Sequence, residues 1–371
     1  MQTLEKEVEN TTVRRKRSEK NSEKKSKEKK NKGKIILKTI LGIIITGILI
    51  GLFLLYGPIT KFREWYITSA MTTMTHQYLA TWFYSDETIN DVLSKNKVVE
   101  VDGITDTNQI NTDNESKEEA DLSNLNEYER AVLEKDKNHP EYKLINIDGK
   151  GYSGYLAVIY DASKIHTLVS SNLGKTGQYV TTMAEKNKAV LAINGGGFED
   201  ENHNSAGGVP LGITISKGKI LTKSSYSGPG GLIGFDEDDK LVLGKVSVAQ
   251  AQKMNIRDAV TCGPFLILNG QSSEVLGNGG WGTAPRTAIG QRKDGIVLML
   301  VVDGRKVRMP GADMDDLIEI MERYGAYNAA ALDGGTSTVM VENYKIINDP
   351  VNGSGVHKTR PIATGFGLIL E

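Results

Sequence analysis

"GIVLMLVVDGR", residues 295–305, holds seven apolar residues without a break, Ile296 to Val302, and then stops at Asp303-Gly304. The run is far too short to span a membrane. β-Branched residues and flanking glycines mark it as a buried strand that ends in a turn. The same plan recurs in "LAINGGGFE" (191–199) and "AALDGG" (330–335), each an apolar run closed by Asn or Asp and then glycine. Around these lie further short runs, "YLAVIYD", "GITISKGKILT", "GLIGFDEDDKLVLG", "FLILNG" and "VMVENYKII". Hairpin loops are expected at Lys217-Gly218, Glu237 to Asp239 and Glu342-Asn343. Two helices are expected, one near Gln178–Lys188 and one from Asp313 to Tyr324. The second puts Met314, Leu317, Ile318, Met321 and Tyr324 on one face, with Asp313 as N-cap and Gly325 as stop. Too few crossover helices separate the strands for a purely parallel sheet. The expected class is α+β (mixed α/β, β-rich), over residues 126–371.

Outward from this domain the composition changes. The chain has 371 residues and a formal net charge of −1, but residues 1–38 carry fourteen Lys and Arg against six Glu, which leaves −9 for the rest. Thr39 to Tyr56 is uncharged and can cross most of a hydrocarbon core as a helix, so 39–57 reads as a transmembrane anchor in contact with lipid. It is longer than the apolar region of a cleaved signal peptide. The basic residues before it place the N-terminus in the cytoplasm, and everything after Pro58 outside, as a single-pass membrane protein. In that position the basic tail serves topology and anionic lipid, and no nucleic-acid partner is expected. Residues 58–96 read as a juxtamembrane helical segment, with Trp65, Tyr66, Tyr78, Trp82 and Phe83 suited to a membrane interface or a packed stalk. Residues 97–125, polar and acidic, read as a flexible linker.

No cofactor is expected. The single cysteine, Cys262, has neither a CxxC partner nor a Cys/His ligand set, and reads as core. The five histidines show no paired spacing; His203, in a polar loop, is the one to watch. "DEDD" (236–239) and "DMDD" (313–316) lack EF-hand spacing, which leaves a structural divalent cation such as calcium open and unassigned. "NGGGFE" has no P-loop Lys-Ser/Thr, and no GxGxxG opens a helix. At each strand end, Asn or Asp followed by glycine lets backbone amides approach a ligand with no Cβ in the way. In the third of these, Gly334, Gly335, Thr336 and Ser337 add hydroxyls that can donate to anionic or sugar oxygens, a binding rim around Asp333.

The order of motifs is specific. "INGGGF", "GVPLGITISKGKI", "CGPFLILNG", "PRTAIG", "VVDGR", a helix, "LDGGTSTVM" and "TRPIATGF" together resemble the phosphodiester glycosidase family over residues 150–371. The resemblance implies one pocket lined by Asn194, Gly195, Gly196, Arg286, Asp303, Arg305, Asp333, Gly334, Gly335 and Arg360. It also implies cleavage of a sugar C1 to phosphate-oxygen bond in a glycosyl-phosphate glycan. Gly197 stands where family members commonly have an aromatic residue, and Thr336-Ser337 where they have glycine and serines. A phosphate leaving group with a final pKa near 6 needs cations more than a general acid. Arg286, Arg305 and Arg360 would hold it, while Asp333 or Asp303 stabilises an oxocarbenium-like centre, activates water or attacks. Alternatively, Asp303 and Arg305 form an internal ion pair. Two other functions use the same residues: a non-catalytic protein that binds anionic glycans, and a phosphodiesterase that breaks the P–O bond.

Overall fold

The computed structural model describes residues 36–71, 77–113, 122–200 and 205–370, together with Arg17, Lys20, Ser22, Lys32 and Lys34. The readings of most of the basic tail, of residues 114–121 in the expected linker and of His203 lie outside the described residues. The chain forms two compact units, Met1–Glu64 and Trp65–Glu371. In the first, Ile36–Tyr56 is a helix of 21 residues, long and apolar enough to cross a membrane.

In the second unit every strand pair among the described residues is antiparallel. A seven-stranded sheet runs Gln271–Ser272, Phe265–Leu268, Asn328–Ala331, Arg286–Gln291, Val297–Val302, Tyr152–Ile159 and Tyr142–Gly149. One five-stranded sheet is centred on Ile256–Cys262, the other on Ala189–Asn194. The run that opened the sequence analysis explains the layering. Val297, Met299 and Val301 join a core shared with Ile233, Phe235 and Val260 of one five-stranded sheet and with Ile193 and Phe366 of the other. Leu298, Leu300 and Val302 point the other way, against Leu317, Met321 and Tyr324. A strand covered on both faces must be apolar at every position, which is why period-2 alternation is missing from it.

The helix Met314–Arg323 supplies that second cover. Asp313 is its N-cap, and a capping box with Asp316 closes its first turn. The earlier helix is Val180–Asn187. The hairpins form at Lys217-Gly218, at 237–240 and at Asn343-Tyr344, the last one residue beyond its expected place. Lys217, Gly218, Asn343 and Tyr344 all have positive φ, as two-residue hairpin loops require.

Residues 97–113, within the expected linker, are bound to the domain. Lys97–Val99 pairs with Glu274–Leu276 as a two-stranded sheet. Glu100 Oε1 accepts from the Phe265 N–H at 2.8 Å. Thr105 exchanges bonds with Leu243 through its N–H and its hydroxyl, and the Asn111 N–H donates to the Lys293 carbonyl at 2.8 Å. This strap is held by backbone and side-chain hydrogen bonds to partners more than 120 residues away. It needs no apolar periodicity, so composition gave it the look of a spacer. Upstream, Ile67, Ala70, Ala80, Ile89 and Val92 form a small core of their own.

Candidate active site

Antiparallel pairing brings the chemistry to one rim. Arg286, at the start of its strand, stands opposite Val302, the last residue before Asp303. Asp333 lies two residues beyond Asn328–Ala331, whose Ala331 pairs with Ala288. A cleft of about 460 Å³ opens there, lined by Arg286, Arg305, Asp333, Gly334, Gly335, Thr336, Ser337 and Arg360. Phe198, Asp200, Tyr226, Cys262 and Trp281 also line it.

Asp333 is the acid at the centre. Burial pushes its carboxyl up to about 6, against the opposing pull of a Ser337 hydrogen bond, the Arg360 charge and the Gly334 N–H, with Asp200 adding repulsion. Its backbone is pinned by its N–H to the Gly195 carbonyl at 3.1 Å and by Asn194 Nδ2 to its own carbonyl at 2.5 Å. Cys262 sits within the reach of its charge; burial first, and then that charge, hold the thiol up at about 12, so it stays protonated.

Three arginines face the cleft in different settings. Arg286 is 7 % exposed. It donates from Nε to the Ala312 carbonyl at 3.2 Å, and from Nη2 to the carbonyls of Trp281 and Gly282 at 2.9 and 2.6 Å. Burial lowers its pKa to about 10, so it remains a cation at neutral pH. Those bonds use Nε and Nη2 and leave Nη1 facing the Gly334 side of the cleft. Arg305, in the left-handed region at φ 59°, donates from Nη1 to Thr336 Oγ1 at 2.9 Å and to the Val351 carbonyl at 3.2 Å. Burial lowers its pKa, and the Asp333 charge opposes that shift. Arg360 pairs with Asp200 Oδ2 at 2.5 Å and lies over the Phe198 ring. Burial of Asp200 is outweighed by the Arg360 bond and charge and by Ser205, which hold its carboxyl at about 2.

Several residues expected in the pocket do other work. Asn194 is fully buried. Its Oδ1 accepts from Thr287 Oγ1 at 2.7 Å and from the Val339 N–H at 3.1 Å, so it ties three strand ends together. Gly195 and Gly196 are packing positions: a Cβ at Gly195 would meet Thr364 Oγ1 at 2.7 Å, and one at Gly196 the Thr261 carbonyl at 2.6 Å. Gly197 is the member of this loop that lines the cleft. Asp303 is 5 % exposed and lies away from the cleft lining. Its oxygens accept from Asn348 Nδ2 at 2.8 Å and from the Asp349 N–H at 2.9 Å, which spends its charge on a loop rather than on an ion pair with Arg305. The rim hydroxyls also touch the charged groups: Thr336 Oγ1 accepts from Arg305, and Ser337 hydrogen-bonds Asp333.

Asp200, Tyr226 and Trp281 went unread in the sequence. Asp200 follows "INGGGFE" directly and was absorbed into the polar loop after it; Trp281 is masked by the glycines of "GNGGWG". Both acidic runs are occupied by protein groups. Asp236 Oδ1 accepts from the N–H groups of Asp238 and Lys240, and Asp313 and Asp316 cap a helix. Among the described residues no three His, Cys, Asp or Glu side chains are grouped to hold a metal ion.

Residues 187–369 match the family described as phosphodiester glycosidase. The SPbeta prophage-derived uncharacterized protein YomE of Bacillus subtilis (strain 168) is 29 % identical over 204 residues, covering 52 % of this chain and 31 % of that protein. The chain thus spans about a third of the length of this curated relative. Among solved structures, the zebrafish N-acetylglucosamine-1-phosphodiester alpha-N-acetylglucosaminidase catalytic domain, auto-inhibited by its pro-peptide, superposes with a TM-score of 0.52 at 24 % identity, over 64 % of this chain and 86 % of that one. That likeness is one of fold.

Proposed function

We propose, from the match of residues 187–369 to the phosphodiester glycosidase family, that the cleft hydrolyses the sugar C1 to phosphate-oxygen bond of glycosyl-phosphodiesters in cell-envelope or exopolysaccharide glycans. The observation that carries this reading is the meeting of the Asp333 carboxyl with Arg286 and Arg305 on a single cleft. A phosphodiester is anionic at any physiological pH. Arg286, through Nη1, and Arg305 take its non-bridging oxygens and stabilise the charge that grows on the departing phosphate. A leaving group this good needs little protonation, so the acid pushed to about 6 works in its ionised form above that pH. It faces the anomeric carbon, where it supports cationic character or delivers the attacking oxygen. Asp200, ionised throughout, holds Arg360 in the cleft lining, where its charge reaches Asp333.

The apolar helix Ile36–Tyr56 serves in this reading as a membrane anchor, with lipid as its partner, and the basic residues before it keep the N-terminus in the cytoplasm and the catalytic unit outside. Product analysis on a panel of glycosyl-phosphate diesters tests the chemistry. Free sugar plus a phosphomonoester supports it. Sugar 1-phosphate instead indicates a phosphodiesterase that cuts the outer ester, and binding without turnover indicates a glycan-binding protein.

A further inference from the structure

The segment ahead of the family-matched residues takes part in the cleft. Ser69, on the helix Thr60–Met71, contributes to its wall. The same segment grips the loop 277–282. Asn278 donates from its N–H to Asn96 Oδ1 at 2.9 Å and from Nδ2 to Thr68 Oγ1 at 2.8 Å, while its own Oδ1 accepts from the Gly280 N–H at 3.0 Å. Both anchors are buried, Thr68 at 0 % and Asn96 at 3 % exposure. Each is fixed in turn, Asn96 Nδ2 by the Val92 carbonyl and the Thr68 hydroxyl by the Trp65 carbonyl.

Gly277, Gly279, Gly280 and Gly282 all have positive φ. Four glycines in six residues give the loop little conformational preference of its own. Its geometry therefore depends on what holds Asn278. Three and four residues on, the carbonyls of Trp281 and Gly282 are the acceptors that fix Arg286 Nη2 and so aim Nη1 at the cleft.

We propose that Asn278, held by Thr68 and Asn96, is a positioning residue for Arg286, so that these two upstream residues complete the phosphate-binding side of the cleft. The inference rests on the phosphodiester reading of that cleft. It is tested in the full-length protein with Thr68→Val, which keeps the shape and removes the acceptor, and Thr68→Ser, which restores it. KM and kcat are measured on a glycosyl-phosphate diester, and the affinity for inorganic phosphate is measured separately by competition or thermal shift. Thr68→Val is expected to raise KM and to weaken phosphate binding, each by about two- to tenfold, the range set by one hydrogen bond. kcat and melting temperature stay near wild type, and Thr68→Ser behaves as wild type. In a double-mutant cycle the Thr68→Val and Arg286→Lys effects on phosphate affinity are less than additive. Full additivity, or a lower melting temperature with unchanged phosphate affinity, overturns the inference. A wild-type protein that binds phosphate in a Thr68-dependent way but turns nothing over sinks the hydrolytic reading alone, and one that binds no phosphate sinks both.

Discussion

Asp333 and Asp303 end their strands with the same signature, an apolar run followed by Asp-Gly, yet only one of them faces the cleft. Asp303 turns to Asn348 and Asp349, more than forty residues downstream, and no local feature of the sequence records that turn. The two should therefore fail differently. Asp333→Asn is expected to lower turnover by at least about a hundredfold, the scale for a positioned acid or base. Its effect on stability follows from linkage. The folded state holds the Asp333 proton to about pH 6, above an unfolded carboxyl near 4, so ionisation opposes folding. That part of the stability is complete below about pH 4 and is lost as pH rises through 6. Melting curves should accordingly show Asp333→Asn equal to or above wild type at pH 7.5, with the gap closing towards pH 4. The same carboxyl predicts that kcat/KM of the wild type rises with an apparent pKa near 6; a flat profile from pH 5 to 8 contradicts its working in ionised form. Asp303→Ala, in contrast, leaves two N–H donors without their acceptor, and should cost about 2–3 kcal/mol in chemical denaturation. Loss of activity in that variant at full stability would restore Asp303 as a catalytic group. Arg286→Lys keeps the charge but cannot reproduce the bonds to Ala312, Trp281 and Gly282, so KM should rise more than kcat falls.

Elements were legible wherever their signals are local. The capped helix at Asp313 and the hairpin at Lys217-Gly218 depend on neighbours a few residues away, and the strand Val297–Val302 carries its two-sided burial as an unbroken apolar run. The glycine loop 193–197 has a packing constraint that its residue pattern does not reveal. Its first two glycines are small because Thr364 and Thr261 pack on them, and the residue pattern looks the same whether a ligand or a strand comes close. Gly335 differs from them. At φ 64° a Cβ there is strained, and it would also meet Arg305 Nη2 at 2.8 Å. Gly335→Ala should therefore weaken phosphate binding together with stability, whereas Gly195→Ala should lower the melting temperature and leave the phosphate affinity of the folded fraction unchanged.

For the whole molecule, the least legible feature was the docking of residues 65–71 and 77–113 onto the domain. The strand Lys97–Val99 finds its partner at Glu274–Leu276, and Asn278 finds Thr68 about two hundred residues back. Pairing at such range leaves no mark in composition or periodicity. A protein truncated to start at Trp65 should unfold cooperatively, while one that starts at Asn126 loses the partner strand and the Glu100, Thr105 and Asn111 contacts, and should melt lower or aggregate. Equal stability of the two would return the segment to the role of a spacer. The central claim is that the bond broken is the one between C1 and oxygen, for which the cleft offers a carboxylate to the sugar and cations to the phosphate. Hydrolysis in ¹⁸O-labelled water, with the products read by mass spectrometry, addresses that bond directly. The account predicts one ¹⁸O in the released sugar at C1, on early turnover before exchange, and none in the phosphomonoester; label in the phosphate would contradict it.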